Sequence, residues 1–207
     1  MREFEVQFEL KSRYYIDHPA EDVRQSWMLL HGYAQLAIDL QRSFVELPRY
    51  GVQGIYPEGL SHFYNRKSSG GVGSSWMTKE NRTMEIDNTM RYLSSIINET
   101  VVPDVILGFS QGTEMASRLA SKLDVVTLVI WGGRLAPEVL EGDSLEQIKS
   151  KRILMFQGDD DEIYSKDRYK SDMRIYHNLG IKVESLLYQG GHETNESAVK
   201  ILFDLLI

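Results

Sequence analysis

Cysteine is absent from the chain, which excludes a disulfide framework and any thiolate-bound metal. Basic charge is short: 23 Lys and Arg stand against 30 Asp and Glu. The resulting net charge of −7 argues against nucleic acid or an anionic membrane surface as the main partner. Long hydrophobic runs are lacking as well, and no stretch approaches the roughly 18–20 apolar residues of a membrane span. The opening Met1-Arg2-Glu3-Phe4-Glu5-Val6 alternates charged and apolar residues and has no apolar signal core. A cytoplasmic protein with no stable membrane insertion is therefore expected. Internal repeats, linkers and composition breaks are missing too, so the 207 residues are expected to form one domain, 1–207.

What is present is ordinary in bulk. Hydrophobic residues make up 42% and charged residues 26%, enough for a sizeable core and far from a disordered composition. Residues 4–10 alternate with period two and 13–17 are β-rich, which predicts an antiparallel N-terminal edge hairpin. From there apolar runs alternate with helical patterns. Strands are expected at 24–30, 52–57, 105–109, 125–131, 152–157 and 181–188. Helices are expected at 36–45, at 79–98 capped by Thr78, after residue 110, at 163–179, and from an Asn195 cap to Leu206. This order predicts an α/β fold: a mostly parallel central sheet with helices on both faces, closed by the antiparallel edge. Residues 60–76 are polar and glycine-rich, long for a connection, and read as a lid or binding loop or else a flexible surface excursion.

The chemistry concentrates at strand ends, where open α/β sheets carry their sites. Val105-Ile106-Leu107 runs into Gly108-Phe109-Ser110-Gln111-Gly112, and a small-residue helical pattern starts at once. Strand, G-x-S-x-G and helix in that order are the context of a nucleophile elbow, with Ser110 at the apex. A glycine-serine turn before a surface helix is the bland alternative. Asp159-Asp160-Asp161 follows a later strand, and Gly191-His192 follows the last one. Serine needs a base to become a nucleophile, and the base needs an acid to hold its tautomer. The order Ser, Asp, His matches that logic, whereas His18, His62 and His177 lie in polar loops or on a helix exterior. His31 ends a strand beside a glycine and suits a structural role. The acidic run also reads as a solvated turn; it lacks the spacing of a calcium loop, so no metal is expected. The loop Leu30-His31-Gly32-Tyr33 offers the Tyr33 N–H as an oxyanion donor beside that of Gln111.

Leu30-His31-Gly32-Tyr33, the segment from Gly71 to Trp76, Gly108-Phe109-Ser110-Gln111-Gly112, Gly158-Asp159-Asp160-Asp161 and Gly191-His192 together resemble one family. It is the phospholipase/carboxylesterase family of α/β-hydrolases, which includes acyl-protein thioesterases and small bacterial carboxylesterases. The opening hairpin looks more like a compact bacterial esterase than a eukaryotic thioesterase. The resemblance implies Ser110 as nucleophile, His192 as base and Asp161 as its partner, with no cofactor. The family pattern H-G-x-x-D carries Gln157 in place of its histidine here, and Glu162 replaces the following proline, leaving Asp159 and Asp160 as alternatives to Asp161. Gly70-Gly71 and Ser75-Trp76 match a G-G-x…S-W segment, which places Trp76 near the acyl pocket or, equally, in plain core packing.

The expected function is a serine hydrolase cleaving carboxylic esters or thioesters through an acyl-enzyme. Lysophospholipase or acyl-protein thioesterase activity, and a non-catalytic ligand-binding protein on the same scaffold, are the rival readings. The edge strand and the final helix leave room for a homodimer.

Overall fold

The structure, a computed structural model, describes residues 1–65 and 71–207. Among the described residues seven strands form one sheet: β1 (Tyr14–Asp17), β2 (Gln25–Leu30), β3 (Val52–Pro57), β6 (Val105–Phe109), β7 (Thr127–Trp131), β8 (Arg152–Gly158) and β9 (Val183–Tyr188). Their order across the sheet is β1-β3-β2-β6-β7-β8-β9. β2 pairs in parallel with β3 and β6, and β6 to β9 continue in parallel. β1 alone runs antiparallel, against β3. The fold is the expected α/β arrangement: a mostly parallel sheet with an antiparallel N-terminal edge.

Period two decides which helices cover which face. In β2, β6, β7 and β8, residues Met28, Leu30, Ile106, Leu128, Ile130 and Met155 face one way. There they meet Leu93 and Ile96 of α2 (Arg82–Glu99), Met115 and Leu119 of α3 (Gln111–Ala120), Ile148 of α4 (Gly142–Lys149) and Tyr176 of α5 (Lys166–Asn178). The intervening Trp27, Leu29, Leu107, Val129, Trp131 and Phe156 face the other way. They pack on Leu40 of α1 (Ala37–Ser43) and on Val199, Leu202 and Phe203 of α6 (Glu196–Leu206). Both faces of the central strands are apolar because both are covered, which is why those runs read as continuous rather than alternating.

Three local expectations are corrected. Residues 4–10 carry no strand, and Phe4, Val6 and Phe8 are exposed. A strand has no internal hydrogen bonds, so alternation becomes β-structure only where a partner is in register; β1 takes its bonds from β3 instead. Residues 61–65 and 71–75 are strand rather than structureless loop. β4 (Ser61–Asn65) and β5 (Gly71–Ser75) make an antiparallel hairpin, while 66–70, including Gly70, lie outside the described residues. Finally, α2 begins at Arg82 rather than after Thr78, whose hydroxyl instead donates to Glu85 at 2.8 Å. The Asn195 cap is as expected: its side chain accepts the Ala198 N–H at 3.0 Å.

Candidate active site

Ser110 stands between β6 and α3 with φ 52° and ψ −117°, a left-handed conformation that a residue with a Cβ rarely adopts. Its N–H donates to the Trp131 carbonyl at 2.9 Å, and its own carbonyl accepts from Thr113. The flanking glycines make the turn sterically feasible. A Cβ on Gly108 would collide with the backbone of Gly112 and Thr113, and one on Gly112 with the Leu30 and His31 carbonyls. Strand, elbow and helix can therefore approach only as the G-x-S-x-G pattern allows.

The loops after β8 and β9 bring the other two expected residues to this serine. His192 Nε2 lies 2.8 Å from Ser110 Oγ, and His192 Nδ1 lies 2.8 Å from Asp161 Oδ2. Asp161 is buried, and its second oxygen accepts the N–H groups of Ile163 at 2.9 Å and Tyr164 at 2.8 Å. α5 starts at Lys166 rather than at residue 163, with the Ser165 side chain accepting the Arg168 N–H as its cap. Asp159 and Asp160 do different work. Asp159 Oδ1 accepts the Gly190 N–H at 3.0 Å, and the Asp160 N–H donates to the Gly190 carbonyl at 2.9 Å, joining the two loops. The Tyr188 hydroxyl and Trp131 Nε1 both donate to the Glu193 carbonyl, at 2.6 and 3.0 Å, and hold the histidine loop from beneath. Gln157, where the resembling family carries histidine, donates to the Tyr164 carbonyl at 2.8 Å and closes the aspartate turn.

Tyr33 lies in the turn after β2 and Gln111 at the start of α3. Gln111 is the first residue of α3, so its N–H has no intrahelical acceptor and lies at the positive end of the helix. The Tyr33 N–H has no acceptor among the described residues. Its loop is braced on all sides: the Gly32 N–H donates to Gln35 Oε1 at 2.7 Å, Ala34 N–H to the Ser74 carbonyl at 2.9 Å, and Ser74 N–H to the Gln35 carbonyl at 3.0 Å. β5 thus extends as a short ladder along this loop, and a Cβ on Gly73 would strike Ala34.

A model of the serine hydrolase (FSH1) family matches residues 52–198, a span that contains Ser110, Asp161 and His192. The chain belongs to that family. Among solved structures, acyl-protein thioesterase 2 of Zea mays is similar with a TM-score of 0.75 at 16% identity, covering 95% of this chain and 98% of that one. Esterase PE8 gives 0.71 at 17% identity over 95% and 98% of the two chains. A carboxylesterase from Mesorhizobium loti gives 0.71 at 16% over 93% and 93%. At such identities the likeness establishes the fold, that of the α/β-hydrolases, in agreement with the family resemblance of the sequence. No curated protein sequence matches the chain.

For this serine hydrolase the remaining site residues are supports. Trp76 is buried; its Nε1 donates to the His31 carbonyl at 2.7 Å and its ring lies 4.6 Å from that of His31. The Gln111 side chain accepts the Trp76 N–H at 3.0 Å and donates to the Met77 carbonyl at 2.7 Å, so it fastens the end of β5 to the elbow. Glu58, not singled out in the sequence, is buried and accepts the Ala37 N–H at 3.1 Å, the Arg13 Nε–H at 2.6 Å and His62 Nε2 at 2.9 Å. Burial alone would raise its carboxyl, but His62, Arg13 and the Ala37 N–H together hold it below the ordinary value. Glu58 carried no local signal because its partners are scattered along the chain.

His31 is fully buried, and burial lowers its pKa to about 4, against the opposing hydrogen bond to the Gly32 carbonyl at 2.7 Å. With Nδ1–H donating there, Nε2 accepts the Gly59 N–H at 3.0 Å, so the ring is neutral. A folded-state pKa below the unfolded one means the unfolded chain binds the proton more readily. The corresponding stability is present above pH 6.5 and is lost as pH falls toward 4. The urea unfolding free energy is expected to fall between pH 7 and 4.5 by ~2–3 kcal/mol more in wild type than in His31→Asn. Equal pH slopes for the two proteins would show that His31 is not the buried neutral ring described.

Proposed function

We propose that the protein hydrolyses carboxylic esters or thioesters through an acyl-enzyme on Ser110. One observation carries this reading: a strained serine whose hydroxyl, imidazole and buried carboxylate form an unbroken chain of two 2.8 Å contacts. His192 Nε2 takes the hydroxyl proton as Ser110 Oγ attacks the carbonyl carbon. The tetrahedral oxyanion accepts from the Tyr33 and Gln111 N–H groups, the second at the positive end of α3. Asp161 holds the imidazole as the Nδ1–H tautomer and stabilises its cation. Collapse breaks the bond to the alcohol or thiol, which leaves with the proton from Nε2. Water then repeats the sequence, giving up a proton to His192 and releasing the carboxylic acid. The chemistry calls for no cofactor. The chain acts as one α/β-hydrolase domain in the cytoplasm, on small-molecule substrates rather than nucleic acid, in keeping with its charge of −7. Among the described residues no helix is long and apolar enough to cross a membrane.

The cleft at Ser110 measures about 280 Å³, at the lower edge of the ~300–1,000 Å³ typical of small-molecule pockets. That size favours short acyl groups over the fatty acyl chains of a lysophospholipid or an S-acylated protein. Hydrolysis of p-nitrophenyl esters from acetate to decanoate tests both points. Turnover is expected with an optimum at or below six carbons, together with labelling by a fluorophosphonate. Neither turnover nor labelling would leave a non-catalytic binding protein as the better reading, and a decanoate optimum would restore the lipid-type alternative.

A further inference from the structure

The cleft at Ser110 reverses the charge of the chain around it. Its lining includes Arg82, Arg134 and Arg168 but one carboxylate, that of Glu114. Glu114 is itself shared. It pairs with Arg82, accepts Arg134 Nε–H at 3.2 Å, and lies 3.6 Å from Arg118, which has its own partner in Glu138 at 2.8 Å. Asp172, which also faces Arg134, accepts the Tyr164 hydroxyl at 2.7 Å. Arg168 lies 5.9 Å from the Tyr164 ring centroid and, among the described residues, has no carboxylate in salt-bridge range. The side chains of Arg82 and Arg134 remain 39% and 38% exposed, so each keeps N–H donors open to the cleft. A guanidinium stays charged at any working pH and presents donors in a fork that fits an oxyacid. A protein of net charge −7 that places three of them beside a nucleophile offers a recognition feature for an anion.

The arginines stand close to the reacting groups. The lining that holds them also contains Ser110, which meets His192 at 2.8 Å, and Ile163 and Tyr164, whose N–H groups donate to Asp161. We propose that the preferred substrate is an ester or thioester that carries a carboxylate within a short chain of the scissile bond. The proposal rests on the acyl-enzyme reading above and adds the substrate class.

Three esters test it: monophenyl adipate, phenyl hexanoate, and the hexanoate ester of 4-hydroxybenzoate. The first two share chain length and leaving group and differ in the terminal carboxylate; the third carries its carboxylate on the leaving group. At low salt kcat/KM for one of the two carboxylated esters is expected to exceed that for phenyl hexanoate by about tenfold or more, the scale of a charge-assisted hydrogen bond. Arg168→Gln and Arg134→Gln are each expected to compress that ratio by about three- to tenfold. Added salt should compress it as well, because part of the attraction is screened. Arg168 is exposed and unpaired by carboxylates, so its replacement leaves the fold intact. Equal rates for all three esters overturn the proposal; a preference for the adipate puts the carboxylate on the acyl side, and a preference for the 4-hydroxybenzoate ester puts it on the leaving group. Fluorophosphonate labelling with equal rates removes only this inference; no turnover and no labelling removes the hydrolase reading with it.

Discussion

Ser110→Ala and His192→Ala are each expected to lower kcat/KM for the best short-chain ester by at least ~10³-fold, and by as much as ~10⁶-fold. The double variant should be no slower than the slower single one. The serine and histidine act as a unit: without the base the hydroxyl is a weak nucleophile, and without the hydroxyl the base has nothing to activate. The 2.8 Å contact between Oγ and Nε2 is the physical form of that coupling. Residual turnover in the double variant should exceed the uncatalysed rate, because the oxyanion donors proposed at Tyr33 and Gln111 are left in place. Multiplicative losses would show two residues acting independently, which the proposed acyl-enzyme cannot accommodate. Retention of wild-type rates in Ser110→Ala would remove the mechanism outright.

Asp161→Asn is expected to cost about 10⁴-fold in kcat at pH 7, with little change in the folded geometry. The amide can still accept the Ile163 and Tyr164 N–H groups through its oxygen. The group turned toward His192 Nδ1 then becomes a donor, which drives the imidazole into the wrong tautomer, with its proton on Nε2 facing the serine. Three adjacent aspartates make this a sharp comparison. Asp160→Asn should stay within about twofold of wild type, since its side chain is exposed and only its backbone joins the histidine loop. Asp159→Asn should fall between them, because Asp159 Oδ1 fastens Gly190 two residues before His192. Steady-state kinetics with melting curves on all three decides the assignment. An Asp159 loss larger than that of Asp161 would transfer the orienting role to Asp159 and overturn the Asp161 assignment.

How far such assignments were legible depends on the range over which each residue acts. The elbow was legible because its requirements are local: Gly108 and Gly112 are needed within two residues of Ser110, so the pattern is contiguous. The covered strands were legible because burial on both faces leaves a continuous apolar run. The Asn195 cap was legible for the same reason, its partner lying three residues on. By contrast, residues 4–10 have the alternation of a strand and lack the partner. β4 and β5 have weak strand composition and form a hairpin, with β5 bonding to residues 34 and 35. Glu58, the Gln111 side chain and the arginines of the cleft gave no signal either.

The sequence by itself determined the alternation of strands and helices, the strained turn at Ser110, and the order in which serine, acid and base follow their strands. Each of these is a matter of spacing within a few residues or of periodicity along one element. Only the tertiary structure decided which of three aspartates meets His192, that the Trp76 indole N–H braces the His31 loop, and that arginines 82, 134 and 168 line one cleft together with Ser110. Those outcomes depend on how loops from β5, β7 and β8 close over the sheet end and on hydrogen bonds between residues tens of positions apart. No short-range pattern encodes a contact of that kind, because its energy exists only once both partners have been brought together by the packing of the sheet.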